Sequence, residues 1–246
     1  YSLVNNEIER LEMHNLKLLN DENYVVLSES LKVLSKLTIL DLRQFSPIHL
    51  QFSGICSTQL KEIRLNRCKL SDKSCVGLSK AISNNPNLKK INLANNLIGD
   101  KGSELLLNAI AEGNLKVLES LNLKGNVIET CTTIVSFATN TKVKILKNFF
   151  LDRNSIGEYA ILMIPKLHNF RVRNLSLRDI KLGYLSTQKL IQYFKSNSTS
   201  KYLKKLDISN NGFSSKQVNN ILKSLVKNTN LEELKMIYIN YSSEVD

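Results

Sequence analysis

The residues of this chain best suited to chemistry are its four cysteines and three histidines. A thiol beside an imidazole can act as a nucleophile, and several such side chains together can bind a metal ion. His14, His49 and His168 lie far apart, so a Cys-His pair or metal site would have to join distant segments. The cysteines also lack the paired spacing of a disulfide framework. We therefore expect no metal and no cofactor, and structural thiols at Cys56, Cys68, Cys75 and Cys131.

Other signals exclude several classes of protein. The chain contains neither a G-x-x-x-x-G-K-[S/T] nor an H-E-x-x-H string, and we predict that it is not an enzyme. Its longest apolar runs are about five residues, too short for a membrane-spanning segment. No charged-then-apolar leader is visible, but the chain begins at Tyr1, so we expect a fragment of a longer protein. The net charge of +12 favours acidic partners.

A short pattern organises the chain. In LKKINLANNLI, which begins at Leu88, apolar residues occupy positions one, four, six and eleven, and Asn96 occupies position nine. The pattern recurs as LKEIRLNRCKL, LESLNLKGNVI, LKNFFLDRNSI and LKKLDISNNGF, and degraded copies lie between them. The period is about 28 residues, within the range of one known class of repeat. We predict a single domain, 1–246, of about nine units that start near 8, 37, 60, 88, 118, 146, 172, 203 and 231.

Each unit is expected to form a strand, a turn and a helix. Leu78, Ala81 and Ile82 in one unit match Leu106, Ala109 and Ile110 in the next, and this spacing is typical of one buried helix face. The unit from Leu37 is short, holds Pro47 and Gly54, and should have an irregular connection instead of a helix. Strands are predicted near 10–14, 39–43, 62–66, 90–94, 120–124, 148–152, 174–178, 205–209 and 233–237.

These motifs resemble the ribonuclease-inhibitor type of leucine-rich repeat over nearly the whole chain. The resemblance implies an α/β horseshoe-shaped solenoid with parallel strands on the concave face and helices on the convex face. One unit cannot bury its leucines alone, so stacking supplies the core. The resemblance also implies a ladder of ninth-position side chains that bind backbone groups of neighbouring turns: Asn96, Asn126, Asn154, Asn211 and Cys68. Turn geometry is expected to differ where this position is Leu16, Phe45, Ile180 or Ile239.

Two other groups of proteins share this repeat type. GTPase-activating proteins for the nuclear-transport GTPase carry an acidic tail, which this chain lacks, and no arginine here stands apart from the repeat pattern. Actin pointed-end cappers of the tropomodulin group carry a similar but shorter domain. Both are less favoured interpretations. Secreted proteins of this class usually have cysteine-bearing end caps, and their absence favours a cytoplasmic protein.

The predicted concave face is basic. In the six units from Leu37 to Val172, the outward and rim positions hold eleven bases and five acids. The leading hypothesis is a non-catalytic module that binds an acidic protein surface through this face. Nucleic acid is the alternative partner, although Phe150 and Tyr238 are the only aromatic candidates for base stacking. A third interpretation is that the charges serve only solubility.

Strand alternation places one aromatic residue at the centre of this face. In LKNFFLDRN, Phe149 points inward and Phe150 outward, between Asn122 and Ser176 of the adjacent strands. These neighbours are too small to cover the ring, although stems of nearby Arg and Lys residues could shelter it. We predict that Phe150 lies at the centre of a partner site that also includes Lys124, Arg153, Arg178, Arg43, Arg64, Arg67 and Lys90.

Overall fold

A computed structural model of the chain describes residues 7–15, 21–45, 50–55, 59–113, 115–141, 143, 146–167, 172–196, 202–226, 228 and 230–237. Several residues considered above lie outside these ranges, among them Leu16, Pro47, His49, Cys56, His168, Tyr238 and Ile239.

The strands form one sheet in which each strand pairs in parallel with the next in the chain. This confirms the predicted solenoid, since every predicted strand position holds a strand. The strands are β1 (Arg10–Glu12), β2 (Ile39–Asp41), β3 (Glu62–Arg64), β4 (Lys90–Asn92), β5 (Ser120–Asn122), β6 (Leu146–Phe150), β7 (Val172–Ser176), β8 (Lys205–Asp207) and β9 (Glu233–Lys235).

The repeat pattern explains the orientation of each strand. Its fourth residue points into the core, and Ile63, Ile91, Leu121 and Phe149 are at most 1% exposed. The third and fifth residues flank it and point to the other side. In register, the third residues form a row of Arg10, Ile39, Glu62, Lys90, Ser120, Asn148, Asn174, Lys205 and Glu233. The fifth residues form a second row of Glu12, Asp41, Arg64, Asn92, Asn122, Phe150, Ser176, Asp207 and Lys235.

Helices occupy most intervals between strands and pack on the core side of the sheet. Between β2 and β3, the one helical element among the described residues is a 3-10 turn, Phe52–Gly54, where the sequence predicts an irregular connection. The α-helices are α1 (Asp21–Val33), α2 (Asp72–Ser83), α3 (Asp100–Glu112), α4 (Thr132–Asn140), α5 (Ala160–Met163), α6 (Tyr184–Lys195) and α7 (Ser215–Leu225).

The interval after β6 differs from the prediction of a regular helix. It contains the 3-10 turn Gly157–Tyr159, the four-residue α5 and a second 3-10 turn, Ile164–Lys166. Pro165 lies in that last turn. Proline has no N–H to donate and its ring clashes with the carbonyl four residues earlier, so α5 cannot continue through it.

Ninth-position side chains join the turns of successive units. The Asn126 carboxamide accepts a hydrogen bond from Ile98 N at 3.1 Å. It donates to Leu93 O at 3.0 Å and to Leu123 O at 2.9 Å. Asn96, Asn154 and Asn211 make the equivalent bonds, and the Cys68 thiol donates to Leu42 O at 2.9 Å. Each side chain thus satisfies buried backbone groups of its own unit and of the preceding one.

Replacing Asn126 with leucine should therefore destabilise the chain. The change leaves the buried Ile98 N–H without its acceptor and removes one of the two amide donors from each of Leu93 O and Leu123 O. We therefore expect the free energy of unfolding to fall by about 1–3 kcal/mol. Guanidinium denaturation measures this. Asn219→Leu on the exposed side of α7 is the control and should change stability by no more than about 0.5 kcal/mol. An unchanged denaturation midpoint for Asn126→Leu would contradict the role of the ladder.

The ninth residue of the seventh unit is Ile180, whose side chain cannot form these hydrogen bonds, and other groups link this unit to its two neighbours. Ile180 is fully buried, and its own N–H donates to Asn211 Oδ1 of the next unit at 3.1 Å. Asp152 instead connects this unit to the preceding one. Its carboxylate accepts from Ser176 Oγ and, at 3.1 Å, from Arg178 N. Phe45, at the ninth position of the second unit, is also fully buried and contacts Tyr24 edge-on.

A second ladder, which the repeat pattern alone does not indicate, joins the helix starts. Asp72, the first residue of α2, accepts from Gly99 N at 2.7 Å, just before α3. Asp100, the first residue of α3, accepts from Thr130 N at 2.9 Å, just before α4. Glu158 accepts from Ser186 N at 3.1 Å, in the first turn of α6. Each carboxylate thereby satisfies backbone donors at the start of the next helical segment.

Candidate functional site

The outward rows of the sheet form the concave face, and its N-terminal part contains a charge network. Asp41 is fully buried among three cationic or titratable side chains. Its Oδ1 lies 2.8 Å from Arg43 Nε and 3.0 Å from His14 Nε2. Its Oδ2 lies 3.1 Å from Arg64 Nη1, and Arg64 Nε lies 2.8 Å from Glu62 Oε1.

The network fixes the charge state of its central carboxylate. Burial alone would raise the pKa of Asp41, but hydrogen bonds from Arg43 and Arg64 outweigh burial and hold its pKa below the ordinary value. The hydrogen bond to Glu62, with that to Asp41, raises the pKa of Arg64. Arg43 and Arg64, which the sequence analysis assigns to a partner site, therefore already donate hydrogen bonds to carboxylates of the same chain.

Other ion pairs lie toward the C-terminal half of the face. Lys147 Nζ lies 3.0 Å from Glu119 Oε2, and Lys204 Nζ lies 3.2 Å from Glu232 Oε1. The Glu233 carboxylate lies between two lysines, 2.7 Å from Lys205 Nζ and 3.1 Å from Lys235 Nζ. These pairs leave the last two units close to neutral.

A third group of bases has no carboxylate partner within the described ranges. Several of them are neighbours: Lys61 and Lys89 lie in adjacent units, joined by a 2.8 Å hydrogen bond from Lys89 N to Lys61 O. Like charges placed side by side on adjacent strands repel each other. The members of this group, which we call the unpaired bases, are Lys61, Arg67, Lys89, Lys90, Lys124, Arg153 and Arg173.

Phe150 lines a groove on the concave floor. Phe149 is fully buried, whereas Phe150, the next residue, is only partly buried on the opposite side of β6. The groove has a volume of about 240 Å³ and runs from Phe150 toward β9. Asn174 Nδ2 donates to Asn148 Oδ1 at 2.8 Å along its floor. Its polar walls are Asn148, Asn174, Ser176, Lys205, Asp207, Glu233 and Lys235.

None of the bases that the sequence groups with Phe150 lines this groove. Lys124, Arg153 and Arg178 follow the ends of β5, β6 and β7, on the loops that form one rim of the concave face. Lys124 and Arg178 are partly buried, and Arg153 is exposed. Lys90 is exposed on β4, and Arg67 is exposed on the same rim after β3.

Comparison with known proteins supports the repeat type that the sequence pattern indicates. The family model described as leucine-rich repeat matches residues 84–107. Ribonuclease inhibitor of Mus musculus is 25% identical over 77% of this chain and 42% of its own length. The chain is a leucine-rich-repeat protein of the ribonuclease-inhibitor type. NACHT, LRR and PYD domains-containing protein 3 of Macaca mulatta is 26% identical over 51% of this chain and 12% of its own length.

A solved structure titled as the TLR13–ssRNA13 complex also matches, at 16% identity and a TM-score of 0.45, over 86% of this chain and 34% of that one. This leucine-rich-repeat chain spans less than half the length of the curated relatives described above.

The described thiols of the leucine-rich-repeat chain lie in its core. Burial raises the pKa of Cys75 to about 12 and the pKa values of Cys68 and Cys131 to about 11. These thiols remain protonated at neutral pH, which makes them poor nucleophiles. Across the described ranges, no three His, Cys, Asp or Glu side chains gather as a metal site would require. The helices of those ranges are all too short or too polar to cross a membrane.

Sequence reasoning missed the most buried acid of the face and the extent of the groove. Alternation places Asp41 outward, yet Arg43, Arg64 and His14 cover it completely. Asp41 has Arg64 in register on the next strand and Arg43 two residues further along its own segment, and this combination is a signal that could have indicated the pairing. The groove extends to β8 and β9, and only the three-dimensional stacking of four units brings Phe150 and Lys235 to one cavity.

Proposed function

We propose that this leucine-rich-repeat domain is a non-catalytic module that binds an acidic protein partner across its concave face. The observation that carries the proposal is the group of unpaired bases. Elsewhere on the face Arg43, Arg64, Lys147, Lys204, Lys205 and Lys235 each have a carboxylate within 3.2 Å. The unpaired bases repel one another across adjacent units, and an acidic partner would relieve that repulsion.

The distribution of charge divides the face into two parts. The unpaired bases lie on the strands and rim of units three to seven, and would attract carboxylates and accelerate association. The groove beside Phe150 has equal numbers of lysines and carboxylates, so it suits an uncharged apolar side chain of the same partner. Aromatic and arginine side chains near the centre of an interface are often its hot spots. The cytoplasmic location stays a prediction from the sequence.

The name of one relative supports a binding role for the domain. The name ribonuclease inhibitor describes a protein that acts on another protein. Because this chain covers less than half of that relative, the proposal concerns the class of partner and not its identity.

A charge-reversed pair of variants tests the proposal. The concave variant carries Arg67→Glu, Lys90→Glu and Arg153→Glu. The control carries Lys80→Glu, Lys101→Glu and Lys223→Glu, which change the net charge equally on the exposed faces of α2, α3 and α7. Each domain is used to capture proteins from a nuclease-treated lysate of the source cells, and captured proteins are then purified and titrated.

We expect an acidic protein to bind the wild type and the control equally, and the concave variant at least about tenfold more weakly. Equal binding by all three would refute the concave site. Nucleic acid is the other outcome: the nuclease-treated lysate would then yield no acidic protein, the wild type would bind a purified duplex, and log affinity for it would fall with log salt by about 0.9 per contacted phosphate.

A further inference from the structure

The eighth residue of each described unit from the first to the eighth has a left-handed backbone. The φ values are 57° at Asn15, 55° at Gln44, 60° at Arg67, 56° at Asn95, 65° at Gly125, 54° at Arg153, 56° at Asp179 and 58° at Asn210. L-residues rarely adopt this conformation, and Gly, Asn and Asp tolerate it best.

The stacking of units imposes this conformation. The N–H of each eighth residue donates to the seventh-position carbonyl of the next unit, as from Arg67 to Ala94 O at 2.9 Å and from Arg153 to Arg178 O at 2.9 Å. Asn95 and Gly125 make the same bond at 2.7 Å, to Lys124 O and Asp152 O. The bond uses only backbone atoms, so it would form equally well with any residue that tolerates the conformation.

Five of these eight units place Asn, Asp or Gly here, and one places the uncharged Gln44. The remaining two place Arg67 and Arg153. Both side chains are exposed, and both belong to the unpaired bases, so no carboxylate of the described chain compensates for the unfavourable backbone. The stacking of units requires the left-handed conformation but does not require an arginine in it. Side chains kept at strained backbone positions are characteristic of binding sites. By contrast, Arg43 and Arg64 form ion pairs with Asp41, so their presence is explained by the stability of the free chain.

We propose that Arg67 and Arg153 are the residues that bind carboxylate groups of the acidic partner directly. This rests on the proposed function and sharpens it. The planar guanidinium fork matches a carboxylate with two parallel hydrogen bonds, which a lysine ammonium cannot reproduce. The two arginines lie three units apart on the same rim, and adjacent strands are about 4.8 Å apart, so the recognised carboxylates are separated by about 14 Å.

Asparagine variants separate recognition from structure. Arg67→Asn and Arg153→Asn place a residue that tolerates the left-handed conformation, and each should raise Tm by about 1–4 °C. Gln44→Asn is the matched control, because Gln44 has the same strained conformation without a charge. It should raise Tm similarly and leave binding unchanged. A fall in Tm for either arginine variant would show that its guanidinium is structural and would overturn the proposal.

Binding is measured by fluorescence anisotropy with a labelled polyglutamate peptide at low salt. The Arg67→Asn, Arg153→Asn double variant should bind about tenfold more weakly than wild type. A charge-matched control, Lys80→Asn with Lys101→Asn on the convex helices, should change binding by less than about twofold. A double Arg→Lys variant keeps the charge but not the fork, and should bind about threefold or more weakly than wild type.

The outcomes distinguish the two proposals. If the wild type fails to bind polyglutamate, the proposed function fails. If the wild type binds but the double asparagine variant matches the convex control, only the role of Arg67 and Arg153 fails. Equal binding by the Lys variant and the wild type would refute the bidentate contact. A single-stranded oligonucleotide of equal charge that binds more tightly, and loses affinity in the same variant, would assign the arginines to phosphate.

Discussion

Replacing Asp41 with alanine is expected to lower the free energy of unfolding by about 2–3 kcal/mol at neutral pH. Removing one member of a buried ion pair usually costs about 3–5 kcal/mol, because the remaining charge loses its partner. Here the arginine side chains are 41% and 29% exposed, so water can partly solvate them when the carboxylate is gone. The expected loss is therefore below the usual range.

The pH dependence of stability gives a sharper test of the same network. The pKa of Asp41 is lower in the folded chain than in the unfolded chain, so the folded state binds fewer protons in acid. The stabilisation is fully present above the pKa of an unfolded aspartate, about 4, and is lost as the pH falls through the lower folded value. Asp41→Asn removes this pH-dependent part of the free energy of unfolding. The difference in stability between wild type and Asp41→Asn should thus be constant near neutral pH and shrink below about pH 4.

Urea denaturation of both proteins between neutral pH and about pH 3 measures that difference. Glu129→Gln, an exposed acid without an ion pair among the described residues, is the control and should differ little from wild type at any pH. A gap between wild type and Asp41→Asn that does not narrow in acid would show that the carboxylate charge is not what stabilises the network.

The sequence predicts the fold because one physical requirement recurs in every unit. Apolar residues at positions one, four and six must be buried, and only parallel stacking of successive units buries them all. Register follows from alternation, which is why Phe149 and Phe150 fall on opposite sides of β6. The short helix after β6 departs from the repeat because Pro165 interrupts it, an effect of one residue that a period of about 28 does not reveal.

Side-chain pairing across units is less accessible to sequence reasoning. Counting charges by position treats Asp41 and Asp152 as exposed acids, yet both are buried because neighbouring units supply donors. Arg64 reaches Asp41 across adjacent strands, and Ser176 reaches Asp152 in the same way. Such contacts depend on rotamers and local curvature. The bases that remain unpaired can therefore be identified only after the structure has shown which bases are already satisfied.

Phe150→Ala should weaken binding of the purified partner by about 2 kcal/mol or more, a change of about thirtyfold in Kd. Phe150 is a large apolar side chain in the sixth unit of the concave floor, and its groove of about 240 Å³ exceeds the roughly 150 Å³ cavity that accommodates a benzene ring. An apolar side chain of the partner can therefore pack against the ring, and truncation to alanine would remove that contact.

The adjacent residue provides the control for folding. Phe149 is fully buried and contacts Phe137 at a ring-centroid distance of 6.4 Å. Phe149→Ala should lower the free energy of unfolding by about 3–5 kcal/mol. Phe150 is only partly buried, so Phe150→Ala should lower it by about 1 kcal/mol or less.

Guanidinium unfolding and calorimetric titration on the same Phe150→Ala protein separate the two roles of the ring. Destabilisation as large as that of Phe149→Ala would make Phe150 a structural residue, since its ring would then contribute to folding more than its exposure allows. Normal stability with unchanged affinity would instead move the partner's contacts away from the groove, toward the unpaired bases of the third and fourth units. Only loss of affinity in a protein of near-normal stability is consistent with an apolar contact made by the partner and absent from the free chain.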